Sequence, residues 1–255
     1  MLKMTYQLIS AAIVSIFLVG CSEDITEMPL IKQSLYQPNR LSNDRVQDKN
    51  RKPLTILELA GIQPGMKVID LFGGGGYYTE LFNHIVGKTG KVYIQNNTLF
   101  LRFSKDELEK RLSNNRLTNV IRLDTEFANM QLPPSTDLIF IGLSYHDIYI
   151  KRKEALITTS PEEFLPQIFA SLKPGGKLLI TDHAAASGTG IETTPTLHRI
   201  DEQWAIKDIE SAGFKLLKTS DALKNPKDDH TLDIWKKKFF HKTDRFIHLY
   251  EKPNT

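Results

Sequence analysis

Residues 66–82 read MKVIDLFGGGGYYTELF, and the order of residue types in this stretch decides the fold. Val68 and Ile69 form a short apolar run that ends in Asp70. Gly73, Gly74, Gly75 and Gly76 follow, and Leu81, Phe82, Ile85 and Val86 then recur at helical spacing before Gly87. The stretch predicts a strand, a glycine turn and a helix. Glycines at the C-terminal edge of a parallel strand let the backbone come close to a ligand, and the N-terminus of the next helix adds free N–H groups and a positive dipole end. Carboxylate, phosphate or ribose groups suit such a place. The spacing differs from the dinucleotide pattern G-x-G-x-x-G, because no glycine stands three residues after Gly76.

Working outward, 255 residues with 40% hydrophobic and 25% charged side chains suit one globular domain of about 200 residues plus an extension. A net charge of +3, with no long basic stripe interleaved with aromatics, argues against a nucleic-acid partner. Lys236, Lys237 and Lys238 beside Phe239 and Phe240 read as a solvated loop face. The start of the chain, MLKMTYQLISAAIVSIFLVGC, has a positive residue at Lys3 and an apolar run over 8–19 that is too short to span a bilayer comfortably. Residues 1–20 read as an export signal. Leu18-Val19-Gly20-Cys21 resembles a bacterial lipobox, in which the cysteine is lipidated and becomes the new N-terminus. Cys21 is the only cysteine, so an intramolecular disulfide and a metal-thiolate site are excluded. Residues 21–50 are polar, with Pro29 and Pro38, and predict a lipidated N-terminus and a tether, within which the charge-rich 43–52 forms a short helix over the pocket. The globular domain is expected over 51–255.

Along that domain a helix starts near Pro53 and stops at Gly61, and KVYIQ (91–95) reads as a second strand. Ser104 and Glu107 have capping-box spacing for the next helix. Strands are expected at 119–123 and at 137–142, where DLIFIG is apolar throughout, as in a strand buried on both faces. Ser160-Pro161-Glu162-Glu163 opens a further helix, 177–182 is a fifth strand, Asp201 caps another helix, and strands at 214–219 and 245–250 close the chain. The last two strands have no obvious helix between them, so one is antiparallel. The pattern predicts a single Rossmann-like, doubly wound α/β domain with a seven-stranded sheet, mostly parallel, with one antiparallel strand near the end.

These stretches resemble class I S-adenosylmethionine (SAM) methyltransferases over roughly residues 53–253. Asp70, Phe72, Gly74 and Gly76 align with that family's acidic residue followed by G-x-G-x-G, with Phe72 in place of the first glycine. LKPGGKLLI (172–180) resembles the family's turn into the fifth strand, and DLIFIGLSYHD (137–147) occupies the fourth-strand position, whose residues face the methyl group. More narrowly, GGGYYT, YHD, DHAA, LHRID and NP-x-DDH are similar to a group of exported bacterial proteins described as predicted methyltransferases. The resemblance implies SAM as cofactor, with Gly73, Gly74, Gly75 and Gly76 around the methionine part and Asp70 bracing the loop. It places Asn96 at the ribose, where the family carries an acidic residue, and Glu126 with Phe127 at the adenine. Phe127 reads equally well as a core residue.

Histidines mark the same edge. His146-Asp147 follow the fourth strand, His183 follows the fifth, and His198-Arg199 lie in the loop after it; in an open α/β sheet these strand ends share one crevice. The expectation is that His146 is a base oriented by Asp147, that His183, His198 and Arg199 shape the substrate pocket, and that His230 joins from the loop after strand six. The same side chains also suggest a metal site, although no H-x-x-x-H spacing supports it. The expected function is SAM-dependent methyl transfer to a small molecule, by a protein held in the bacterial envelope through Cys21 and facing the periplasm, with Ser22 leaning toward the outer membrane. Two alternatives stand beside it: an envelope protein that binds a nucleoside-like or anionic ligand without chemistry, and a metal-dependent enzyme using the histidine edge. The sequence carries no sign of oligomeric state.

Overall fold

The computed structural model describes residues 25–150 and 161–254. The export signal, Cys21, Ser22 and the Ser160 cap lie outside the described residues. Within them the order is α1 (Leu30–Leu35), α2 (Ser42–Arg51), α3 (Pro53–Ala60), β1 (Lys67–Leu71), α4 (Tyr77–Val86), β2 (Lys91–Asn96), α5 (Thr98–Leu112), β3 (Val120–Asp124) and β4 (Thr136–Gly142). The second part holds α6 (Pro161–Ser171), β5 (Leu172–His183), α7 (Thr194–Leu197), α8 (Glu202–Ser211), β6 (Lys215–Thr219) and β7 (Arg245–Glu251).

The seven strands form one sheet in the order β3-β2-β1-β4-β5-β7-β6. β1 to β5 run parallel to one another, and β7 pairs antiparallel with both β5 and β6, so the α/β fold and the single reversed strand are as expected. Because successive strand residues face opposite sides, the sheet carries two cores. Ile69, Leu71, Ile139 and Ile141 pack with Phe164 and Ile168 of α6 on one face, while Val68, Leu138 and Phe140 pack with Leu57 of α3 and Leu81 and Phe82 of α4 on the other. Strand order reverses between β1 and β4, which opens a crevice at their C-terminal ends.

Two local expectations differ from the structure. α5 begins at Thr98, capped by Asn97, whose side-chain oxygen accepts from Phe100 N–H at 3.0 Å. Ser104 therefore lies inside the helix, its hydroxyl donating to the Phe100 carbonyl at 2.8 Å. The expected tether is also shorter than read. From α1 onward the segment belongs to the domain: Ile31 and Leu35 pack on the α3–α4 core, and α2 is pinned by Tyr77 O–H donating to Asp48 at 2.6 Å and by the buried Arg111–Asp44 pair at 2.7 Å. Asp44 and Asp48, within the expected tether, are partners of the buried Arg111 and Arg40. The helix over the pocket is α2 itself, which contributes Gln47, Asn50 and Arg51 to the cleft.

Removing Asp44 leaves Arg111 buried with one partner fewer, and breaking a buried pair costs about 3 kcal/mol. Asp44→Ala is expected to lose that much in urea denaturation and to expose α2 to proteolysis. A loss below about 1 kcal/mol, as for a surface pair, would show that α2 is not anchored there.

Candidate active site

β1 delivers its chain into the glycine turn. Phe72, aligned with the first glycine of the motif, adopts φ +57°, so the backbone keeps the left-handed shape glycine would take. That conformation costs a β-carbon residue about 1–2 kcal/mol. The ring offsets it by stacking on Phe100 at 5.3 Å and Phe164 at 5.4 Å and meeting Phe127 edge-on at 4.5 Å. Gly76, at φ +84°, turns the chain into α4. At Gly75 a β-carbon would collide with the Glu107 carboxylate, so the loop lies directly against α5. Asp70 is buried under it and accepts Thr79 O–H at 2.6 Å. Burial pushes this carboxyl up to about 6, against the opposing pull of Thr79, Arg51 and Arg111.

A cleft of about 1030 Å³ runs from this loop to the histidine edge. Its near wall holds Asp70, Gly73, Gly74 and Gly75; Leu99, Phe100, Ser104 and Glu107 come from α5, and α2 forms the roof. Phe103, Trp235 and Phe240 stand at its rim, 83%, 62% and 44% exposed. His146, His183 and His198 close the far end, with ring centroids 5.8 Å and 5.9 Å from His146 to the other two.

The residue that orients His146 is Asp182, at the end of β5. Its carboxylate accepts His146 Nδ1–H at 2.8 Å, His146 backbone N–H at 2.7 Å and His183 backbone N–H at 2.8 Å. Since a carboxylate only accepts here, the partner assigns the proton to Nδ1 and leaves Nε2 as the nitrogen that can take one. Asp147 stands 3.7 Å from Nε2 and is no hydrogen-bond partner of Nδ1, so the expected orienting role passes from Asp147 to Asp182. β4 and β5 pair in parallel through Gly142↔Thr181, which brings the residues just beyond both strands together. His183 is held well below the ordinary histidine range by burial and then by neighbouring His146 and Arg245; its Nδ1 lies 2.6 Å from Thr243 Oγ1. His198, at φ +54°, lines the cleft, whereas Arg199 points away and is buried against Asp228 at 2.9 Å. Arg199 braces the loop and does not shape the pocket. His230 pairs with Asp244 at 3.0 Å, off the cleft wall.

The positions expected at ribose and adenine are also displaced from the cleft. Asn96 is buried, its Oδ1 accepting Gly74 N–H at 2.8 Å and its Nδ2 donating to the Gly74 carbonyl at 3.1 Å. Its carboxamide braces the loop. Glu126 accepts from Thr98 N–H at 3.2 Å and Thr98 O–H at 2.5 Å, and Phe127 is buried in the aromatic core. In sequence Glu107 reads as half of a capping box and Phe240 as part of a solvated loop face, while Asp182, Arg51, Arg245 and Trp235 carry no site expectation. Only Asp182 left a signal, as the acid beside His183 at a strand end. Among the described residues no group of three or more His, Cys, Asp or Glu is placed to hold a metal ion, so the metal alternative gains no support.

Sheet order, glycine turn and edge together define the fold of class I SAM-dependent methyltransferases, and the comparisons agree. The sequence model of the family described as Protein-L-isoaspartate(D-aspartate) O-methyltransferase matches residues 36–142. A ubiquinone/menaquinone biosynthesis C-methyltransferase of Hydrogenovibrio crunogenus is 33% identical over 129 residues, 49% of this chain and 45% of that protein. The chain thus spans about half the length of the curated relatives it matches. Among solved structures, a SAM-dependent methyltransferase from Aquifex aeolicus superposes with a TM-score of 0.57 at 21% identity, covering 90% of this chain and 98% of that one. The [4+2]-cyclase SpnF superposes with a TM-score of 0.55 at 16% identity, over 83% and 81%. Fold and sequence make the chain similar to members of the class I SAM-dependent methyltransferase superfamily.

The cofactor of that superfamily is SAM, and the cleft has room and groups for it. A β-carbon on Gly74 would meet nothing nearer than Ser104 Cβ at 3.9 Å, so this backbone faces open space. Gly73, Gly74, Gly75 and Asp70 suit the amino-acid part. Leu99 and Phe100 would offer the nucleoside an apolar shelf, and Ser104 and Glu107 are the polar side chains of α5 that line the cleft there.

Two outcomes follow from the loop. Asn96→Asp restores the family's acid but sets a carboxylate against the Gly74 carbonyl; it is expected to cost about 1–3 kcal/mol of stability and to bring no gain in SAM affinity in calorimetric titration. For Asp70, the folded form binds its proton more tightly than the unfolded chain, whose pKa is about 3.9, so wild type loses stability as pH rises from about 4 to about 6, roughly 3 kcal/mol in all. Asp70→Asn lacks that loss. Its stability advantage over wild type is expected to grow across this window and stay constant above it, as read by denaturant titration at pH 4.5 and 7.5.

Proposed function

We propose that the protein is an envelope-anchored methyltransferase that transfers a methyl group from SAM to a small-molecule acceptor. One observation carries this reading: the glycine loop and the His146–Asp182 pair open onto the same cleft. When bound, SAM supplies a sulfonium methyl open to displacement by a nucleophile. The chain's own part is to position, to exclude water and to manage a proton. The loop and α5 shelf hold the cofactor, and α2 covers them. His146 Nε2 takes the proton from the acceptor's hydroxyl or amine as that atom attacks, while Asp182 fixes the ring and stabilises the imidazolium that forms. His183, kept neutral by its burial, adds no competing cation beside it. Bringing two reactants together in a closed cleft supplies much of the rate in such a transfer, with the base adding to it.

The partly enclosed cleft and the biosynthetic name of the curated relatives support a small acceptor over a macromolecule. The lipobox-like run ending at Cys21 supports anchoring, and the exposed Phe103, Trp235 and Phe240 are side chains suited to a membrane-water interface. Ser22 supports the outer membrane by analogy.

His146→Ala is expected to leave binding of S-adenosylhomocysteine intact in calorimetry and to lower methyl transfer to extracted small molecules by about 10²–10³-fold. Asp182→Asn should lose about as much, and Asp147→Asn less than about threefold, since only Asp182 fixes the tautomer. Equal rates in all three variants would remove His146 from the chemistry. Cys21→Ala is expected to move the protein from the membrane to the soluble fraction; unchanged fractionation would refute the anchor.

A further inference from the structure

Four arginines are buried among the described residues: Arg40, Arg111, Arg199 and Arg245. Three of them face a carboxylate, Arg40 on Asp48 at 2.6 Å, Arg111 on Asp44 at 2.7 Å and Arg199 on Asp228 at 2.9 Å. Arg245 does not. Its Nη2 donates to the Asn50 carbonyl at 2.8 Å and its Nε to the Thr243 carbonyl at 3.3 Å, and among the described residues no carboxylate oxygen lies within 4.0 Å of it. A buried cation held only by neutral groups recovers little of what its desolvation costs. It is also the one of the four that lines the cleft.

Position adds to this. Arg245 heads β7 directly opposite His183 of β5, at the histidine end of the cleft. A second guanidinium, Arg51 of α2, lines the same cleft, 4.5 Å over the Tyr77 ring, with Nε donating to Gln47 at 2.7 Å. Asp244, near Arg245, is engaged by His230 at 3.0 Å and Asp70, near Arg51, by Thr79 at 2.6 Å, while Asp147 and Glu107 also line the cleft. Burial first, and then Arg51, holds Arg245 below the ordinary arginine range, and burial with both guanidinium groups lowers His241 on the same wall. Exposed Lys236, Lys237 and Lys238, on the loop that carries Trp235 and Phe240 at the rim, extend the positive field outward.

We propose that Arg245, with Arg51 beside it, is a binding site for an anionic group, carboxylate or phosphate, carried by the methyl acceptor. The acceptor as carrier rests on the methyltransferase reading; the anion site does not. Planar guanidinium groups pair with both anions through two parallel hydrogen bonds, and Arg245 has Nη1 left for one. The other source of the same chemistry is the cofactor's own carboxylate.

The test titrates the full-length protein with inorganic phosphate at constant ionic strength, following both heat and thermal midpoint. Saturable phosphate binding in wild type is expected, weakened about tenfold or more by Arg245→Gln, less by Arg245→Lys, and about threefold by Arg51→Gln. Arg51→Gln and Arg245→Lys guard against a folding defect in Arg245→Gln. Phosphate that fails to bind wild type, or binds it and both glutamine variants equally, overturns the site. The same variants are then titrated with S-adenosylhomocysteine and with 5′-methylthioadenosine, which lacks the carboxylate. Unchanged affinity for both supports an acceptor anion, while a loss confined to S-adenosylhomocysteine gives the site to the cofactor and overturns the assignment to the acceptor. If neither nucleoside binds wild type, the methyltransferase reading fails, and the phosphate titration still decides the anion site.

Discussion

One guanidinium behind the glycine loop holds the cleft in shape. Arg111 of α5 donates Nε to the Gly75 carbonyl, Nη1 to Asp44 of α2 and Glu80 of α4, and Nη2 to Asp44 and Glu107. Burial works against its charge, and the acids around it more than restore it, so the group sits above its ordinary value. A buried ion cluster of this kind adds little to stability over an apolar alternative, but its directional bonds fix which elements meet. Here they fix roof, loop and floor at once. Gly75 must lack a side chain because Glu107 is drawn over it by the same cation.

That dependence explains what was legible in the sequence. The strands announce themselves by local pattern: the apolar run expected at 137–142 is β4, Thr136–Gly142, and the one at 245–250 is β7, Arg245–Glu251. Asp201 caps α8 as read, accepting from Gln203 and Trp204 N–H. Long-range pairing leaves no such mark. Nothing near Asp44 shows that its partner comes from residue 111, so a helix of the domain reads as a polar tether. Nor does chain adjacency show which acid reaches His146. Asp147 is next in sequence, but the 3-10 turn at Tyr145–Tyr149 carries it aside, and the parallel pairing of β4 with β5 supplies Asp182. Phe72 and Asn96 are two sides of one further case. Alignment set them beside a glycine and an acid, while the side chains standing there have structural partners of their own.

A fold shared with a named cyclase as well as with methyltransferases leaves the chemistry to the site. The departures from that family's pattern fall at the loop, where Phe72 replaces the first glycine, and at the expected ribose position, Asn96. The histidine edge, by contrast, is closed around Asp182 by three hydrogen bonds to one buried carboxylate. Two backbone donors fix the carboxylate, and the carboxylate in turn holds the ring through Nδ1.

The cleft is electrically uneven along its length. At the glycine end burial raises the Asp70 carboxyl; at the far end Arg245 lies buried with no carboxylate oxygen of the described residues within 4.0 Å, facing His183, which it helps to keep neutral. A negative group set against that guanidinium would supply the counter-charge its desolvation lacks, and would also weaken the field that holds His183 below the ordinary histidine range.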